Sequence, residues 1–101
     1  MREFQKKCSD FVKTLDNKYG IERDPQLSFT QLMEEIGELA RDINYPRLRN
    51  KEIDRKNLEG EFGDVFLQLC VLAELHNVDL EKAVSEKIEI LTERNRLPEN
   101  Y

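Results

Sequence analysis

The sequence is poor in the residues that mark several common protein classes. It contains no tryptophan, one histidine, two cysteines, three prolines and four glycines among 101 residues. The scarcity of proline and glycine, together with many strong helix formers, argues against a disordered chain. Cys8 and Cys70 form no Cys-x-x-Cys pair, so we expect two reduced thiols and no disulfide framework.

Long apolar runs and an excess of positive charge are also missing. No stretch approaches the ~20 apolar residues that span a bilayer, and the first residues lack the apolar region of a secretory signal. We therefore expect a cytoplasmic protein that binds no membrane. The formal net charge of −5 argues against duplex nucleic acid as a partner, because such binding depends on neutralising phosphates. A free nucleotide accompanied by metal ions is compatible with this charge.

The residues that are present predict one all-α domain over residues 1–101. Hydrophobic residues make up 39% of the chain and charged residues 37%, which is enough for one modest core. Apolar residues recur at helical spacing in four stretches. The first helix is predicted over residues 2–18, with Gly20 as its stop. Its predicted buried stripe consists of Phe4, Cys8, Phe11, Leu15 and Tyr19.

The second helix is predicted to begin at Ser28, which forms a capping box with Gln31. Its predicted stripe consists of Phe29, Leu32, Ile36, Leu39 and Ile43. The helical pattern breaks at Tyr45-Pro46. Residues 44–56 hold the only concentration of basic residues, and two interpretations stay open for them: a solvated linker, or a mobile lid whose arginines reach a polyanionic substrate.

The third helix is predicted to start near Asn57 or a few residues earlier. It is apolar on nearly all sides, which suggests burial against a partner subunit. The fourth helix follows Asp79, a natural N-cap. Lys87 interrupts the apolar stripe of this helix, so its side chain either extends past the apolar surface into solvent or meets buried negative charge.

Two short stretches, residues 32–39 and 58–65, repeat the pattern Leu-x-x-Glu-apolar-Gly-acid-apolar. On a helical wheel, Glu35 lies about 60° and Glu38 about 120° to one side of the apolar stripe. Glu61 and Asp64 lie at the same angles, about 60° and about 120°, on the third helix. Glu34 points away from this flank. We therefore expect the four carboxylates to converge between the two helices.

Crowded carboxylates repel one another, since two unit charges ~4 Å apart cost about 4 kcal/mol at an effective dielectric constant near 20. Some other interaction must offset this repulsion, and a ligand set made only of oxygens, without histidine or cysteine, suits Mg²⁺ or Mn²⁺. Iron is disfavoured because the only histidine, His76, has Ala73 where a di-iron Glu-x-x-His motif needs glutamate. Mg²⁺ held by carboxylates keeps positions open for water and phosphates, which indicates phosphoryl or nucleotidyl chemistry.

As a set, these motifs resemble the MazG-like family of the all-α nucleoside triphosphate pyrophosphohydrolase superfamily. The resemblance rests on Glu35-x-x-Glu38, on Glu61-x-x-Asp64 with Gly63 inside it, and on the continuation at residues 65–69, and it covers about residues 28–97. It implies a four-helix bundle-like core and assembly into a homodimer or homotetramer. It also implies Mg²⁺-dependent cleavage of a nucleoside triphosphate between its α and β phosphates, which gives a nucleoside monophosphate and pyrophosphate.

The resemblance also assigns roles to individual residues. The metal ligands it implies are Glu35, Glu38, Glu61 and Asp64. Lys87 and Arg94 match basic positions that face the phosphates in relatives. The catalytic candidates are Glu35, Glu38 and Lys87, and the substrate-binding candidates are Lys87, Arg94 and Glu34. Either Glu35 or its neighbour Glu34 would position or deprotonate the attacking water.

Two other functions stay open at this point. Hydrolysis of phosphoribosyl-ATP uses similar carboxylate motifs and is separated from the first function by a substrate panel. A noncatalytic helical dimerisation module, in which the acids bind a structural ion, predicts stabilisation by metal without turnover.

Overall fold

A computed structural model describes residues 1–98 and confirms the all-α fold. The described chain folds into four helices: α1 (Arg2–Tyr19), α2 (Pro25–Leu48), α3 (Arg55–Leu75) and α4 (Leu80–Arg94). None of these helices combines the length and the apolar character that a membrane crossing requires.

Local capping signals fix three of the helix ends as predicted. Gly20 ends α1 in the left-handed conformation, with φ 66°, which glycine adopts without the steric cost that other residues meet. Asp79 caps α4, where its Oδ1 accepts a hydrogen bond from the Lys82 backbone N–H over 3.2 Å. Asp54 caps α3 in the same way, accepting from the Asn57 N–H over 3.1 Å. The predicted start of α3 a few residues before Asn57 is therefore confirmed.

The predicted start of α2 at Ser28 is wrong. The helix begins at Pro25, and Asp24 is its N-cap, with Oδ1 accepting from the Leu27 N–H over 2.8 Å. Proline suits the first helical position because its φ is already helical and its missing N–H has no partner there. Ser28 is buried one turn later, where its Oγ accepts from Nη1 of Arg23 over 2.9 Å.

The predicted break of α2 at Tyr45-Pro46 is also wrong, since the helix continues to Leu48. Proline removes one backbone hydrogen bond, but here this happens in the last turn, where few intrahelical bonds remain to be lost. The backbone N–H groups of Arg49 and Lys51 then close the helix end on the carbonyls of Tyr45 and Pro46, over 3.0 and 2.6 Å. The segment that connects α2 to α3 is therefore residues 49–54.

The helix α3 is central and packs on α2 and on α1, whereas α4 packs mainly on α1. The predicted buried stripe of α1 is wrong except for Cys8, because Phe4 and Phe11 are each 53% exposed and Tyr19 is 65% exposed. The face of α1 that is buried consists of Gln5, Cys8, Ser9, Val12 and Asp16. Several of these side chains are small, and so are the buried side chains of α3, which are Cys70, Val71 and Ala73. Cys8 and Cys70 meet between α1 and α3 as buried free thiols.

The described chain is flat rather than spherical. Its radius of gyration is 16.8 Å and its extents are 44 × 41 × 21 Å, whereas a compact domain of this length has a radius of gyration of about 13 Å. Large apolar side chains on the predicted stripes are exposed as a result. They include Phe29, Ile36 and Ile43 of α2, Phe62 of α3, and Val84, Ile88 and Leu91 of α4.

Candidate functional site

The candidate site lies along a polar seam between α2 and α3. The two helices are joined by a short loop and run antiparallel, so residues at equal distances from the loop face each other. Nearest the loop, Nδ2 of Asn57 donates a hydrogen bond to Oδ2 of Asp42 over 2.6 Å. The α2–α3 seam consists of Gln31, Glu35, Glu38 and Asp42 from α2, and Asn57, Glu61, Asp64 and Gln68 from α3.

Three acids of the seam form a tight cluster. Carboxylate oxygens of Glu35, Glu38 and Glu61 all lie within 4.8 Å of one another. Glu35 and Glu61 are half-buried and Glu38 is exposed. Asp64 is exposed beside them, and its negative charge acts on both Glu35 and Glu61. The two flanks that the helical wheel paired therefore face each other, and the role of these acids as metal ligands stays a prediction.

The clustering disfavours ionisation of the acids. Burial, followed by the charges of Glu38, Asp64 and Glu61, raises the pKa of Glu35 from 4.5 to about 7. Burial and the charges of Glu38, Asp42 and Asp64 also raise the pKa of Glu61. A carboxylate that titrates near neutral pH can accept a proton during a reaction and release it afterwards.

The cluster has the properties of a cation site. Oε2 of Glu35 and Oε2 of Glu61 are buried and accept no hydrogen bond from residues 1–98. None of the ion pairs in this part of the chain includes an acid of the cluster. Buried negative oxygens without a donor or a basic partner are costly. A hard divalent cation such as Mg²⁺ or Mn²⁺ fits them, because all the available ligand atoms are carboxylate oxygens.

The predicted basic residues lie elsewhere. Lys87 and Arg94 are exposed on α4, the helix that packs mainly on α1. Neither forms an ion pair within residues 1–98, so Lys87 does not meet the buried negative charge within one chain. Glu34 is exposed, as its wheel position predicted. The roles of these three residues toward substrate stay predictions.

Other basic side chains do lie beside the seam. A cavity of about 220 Å³ at the loop end is lined by Arg41, Arg49 and Lys51 together with Tyr45. The guanidinium groups of Arg41 and Arg49 lie 5.6 and 4.9 Å from the centre of the Tyr45 ring, in cation–π contact. Part of the basic segment is therefore ordered against α2 next to the acids.

The helical wheel places Gln31 and Asp42 on the same flank of α2 as Glu35 and Glu38, but the sequence reasoning missed Asn57 and Gln68 on α3. Asp42 and Asn57 extend the seam toward the loop, and Gln31 and Gln68 extend it toward α1. Each lies four residues beyond a predicted acid, so continuing the same helical spacing on α3 would have found Asn57 and Gln68 as well. Polar residues without charge carry a weak sequence signal, because most of them are solvated.

Comparison with known proteins identifies the family. The sequence model of the MazG nucleotide pyrophosphohydrolase domain matches residues 23–97. The chain belongs to the MazG family. The chain is also 30% identical over 86 residues to YpjD of Bacillus subtilis (strain 168), a protein described as uncharacterized; the match covers 82% of this chain and 75% of YpjD. No solved structure matches the chain. The MazG match includes all of the α2–α3 seam.

Proposed function

We propose that this MazG domain hydrolyses a nucleoside triphosphate to a nucleoside monophosphate and pyrophosphate, with Mg²⁺ or Mn²⁺ as cofactor. The observation that carries the proposal is the cluster of Glu35, Glu38 and Glu61, whose buried oxygens have neither donors nor basic partners in the described chain. Asp64 completes the proposed metal-binding set from the exposed side. The family match supports the reaction class.

The residues of the chain have distinct tasks in this reaction. Bound Mg²⁺ would neutralise phosphate oxygens and lower the pKa of water. Glu35, which is half-buried among the other acids and whose Oε2 accepts no hydrogen bond in the described chain, accepts the proton of the attacking water. The water oxygen forms a bond to the α phosphorus, the bond from that phosphorus to the bridging oxygen breaks, and pyrophosphate leaves. Glu35 is favoured over Glu34 as the base because Glu34 is exposed outside the cluster.

The test is a product assay. The protein is incubated with Mg²⁺ and a panel of ribo- and deoxyribonucleoside triphosphates that also includes phosphoribosyl-ATP, and products are identified by ³¹P NMR. We expect monophosphate and pyrophosphate, and a loss of about 100-fold or more in kcat for Glu35→Gln. Glu59→Gln is the matched control, since Glu59 is exposed and, among residues 1–98, pairs only with Arg55 on the surface of α3. Release of orthophosphate, or metal-dependent stabilisation without turnover, would contradict the proposal.

We also infer that the active form is a homodimer or homotetramer in the cytoplasm, where nucleoside triphosphates are available. The flat shape and the exposed apolar side chains of α2 and α4 support self-association, because monomers seldom expose so much apolar surface. A second subunit could bring Lys87 and Arg94 to the seam. Sedimentation equilibrium tests this inference, and a monomer at micromolar concentration would contradict it.

A further inference from the structure

A second cavity opens beside the acidic cluster, at the end of the seam that faces α1. Its volume is about 330 Å³, and it shares Glu35 and Asp64 with the acidic cluster. It is therefore adjacent to the atoms that the proposed reaction requires. We call it the α1 cavity.

One wall of the α1 cavity is apolar. It is formed by Phe11, Leu15 and Tyr19 of α1 and by Ile21 just after that helix. All four side chains are substantially exposed. Contact between a contiguous apolar surface and water is unfavourable, so such a surface is usually covered by a ligand or a partner. Aromatic rings next to the proposed metal and phosphate site can bind a nucleobase by stacking, because every base has an apolar face.

The opposite wall carries two amides, Gln31 and Gln68. Oε1 of each is buried and accepts no hydrogen bond from residues 1–98. A buried acceptor without a donor is costly, so both oxygens would be satisfied by a ligand that brings N–H groups. A packed apolar helix from a second subunit would leave them unsatisfied, which favours a ligand with apolar faces and a polar edge.

We propose that the α1 cavity holds the base of the substrate nucleotide and that Gln31 and Gln68 favour bases with an exocyclic amino group. This inference rests on the proposed function and adds base selectivity to it. Two buried acceptors, Oε1 of Gln31 and Oε1 of Gln68, lack donors within the described chain. The exocyclic amino group of cytosine or adenine carries two N–H groups that can donate to them, whereas uracil and hypoxanthine have a carbonyl oxygen at that position and offer only one ring N–H beside it. Phe11 and Tyr19 provide the aromatic surface on which the base stacks.

Two matched substrate pairs test the selectivity. CTP and UTP differ in the amino or carbonyl group at one ring position, and ATP and ITP differ in the same way. We expect kcat/KM to be about 10-fold or more higher for CTP than for UTP and for ATP than for ITP. We also expect Gln68→Met, which keeps the side-chain length, to lower both ratios toward one. Gln31→Met serves the same purpose if Gln68→Met does not fold.

Calorimetric binding of the monophosphates CMP and UMP gives a readout that needs no turnover. Tighter binding of CMP, weakened by Gln68→Met, supports the inference even if no triphosphate is hydrolysed, in which case only the proposed function fails. Hydrolysis to pyrophosphate with equal kcat/KM for both members of each pair overturns the inference and leaves the proposed function standing. The inference is also overturned if Tyr19→Ala dissociates an oligomer while CMP binding is unchanged, because the cavity would then be a subunit interface.

Discussion

Each of the two interfaces of α3 contains a glutamine, and the hydrogen bonding of the two glutamine side chains differs. On the α1 side, Nε2 of Gln5 donates to Oε2 of Glu74 over 2.5 Å and to the Val78 carbonyl over 2.6 Å, and its Oε1 accepts from the Leu80 N–H over 2.9 Å. Gln5 is fully buried and ties α1 to the turn between α3 and α4. On the α2 side, Oε1 of Gln68 is buried without a donor in the described chain.

The contrast separates a structural interface from a binding interface. The α1–α3 contact satisfies the buried amide of Gln5 when the chain folds. The α2–α3 seam instead keeps crowded carboxylates and unsatisfied amide oxygens, which lower the stability of the metal-free protein. Unsatisfied polar groups of this kind are expected where a ligand completes the structure.

The largest expected effect on the free energy of unfolding comes from replacing Gln5, whose amide group forms hydrogen bonds through both its nitrogen and its oxygen. Gln5→Met should lower the free energy of unfolding by about 3 kcal/mol, because it leaves buried hydrogen-bonding groups without partners. Gln68→Met is the matched control, and it should change the free energy by less than about 1 kcal/mol because it removes no hydrogen bond within the described chain. Urea denaturation measures both. Equal losses in the free energy of unfolding for the two variants would contradict the proposed difference between the two interfaces of α3.

The second effect is a pH dependence of the free energy of unfolding that comes from the α2–α3 seam. The pKa of Glu35 is about 7 in the folded protein, above its ordinary value of 4.5, so folding favours its protonated form. Its contribution to stability is complete below pH 4.5 and is lost as the pH rises through about 7. In metal-free buffer, the wild type should therefore lose stability relative to Glu35→Gln over this range. Urea titrations from acidic to neutral pH measure the difference, and a difference independent of pH would contradict the assignment.

The smallest expected effect concerns the outer surface of α2. A Cβ atom added at Gly37 would meet no atom of the described residues within 4 Å. Gly37→Ala should therefore raise the free energy of unfolding of the monomer by roughly 0.5 to 1 kcal/mol through helix propensity. Thermal denaturation at low protein concentration measures this gain. A loss of stability at low protein concentration would contradict the open surface around Gly37, whereas a loss that appears only at high concentration would place the subunit contact there.

Local signals in the sequence predicted much of this structure. Gly20 and Asp79 were recognised because a helix end depends on the chemistry of the few residues around it. The facing of Glu35 and Glu61 followed from helical spacing alone, once their helices were known to be adjacent. Ser28 failed as a cap because Asp24 followed by Pro25 offered a stronger start one turn earlier.

Features that depend on tertiary packing were harder to predict from the sequence. The first helix has two faces that could be buried, and the sequence favoured the one with Phe4 and Phe11. The structure buries the face with Gln5 and Cys8 instead, because its small and hydrogen-bonding side chains match those of α3. The position of Gln31 on the flank of the acids followed from helical spacing, but the missing hydrogen-bond donors of Gln31 and Gln68 could not be predicted, since an unsatisfied buried oxygen is visible only once both helices are in place.

Comparing the free energy of unfolding of the wild type and Glu61→Gln, with and without Mg²⁺, tests the central claim most directly. Without Mg²⁺ the variant should be the more stable protein, because it removes one of the crowded carboxylates. With saturating Mg²⁺ the order should reverse, because only the wild type keeps the full ligand set and gains stability from binding. The same order in both conditions would show that the α2–α3 seam is not a metal site.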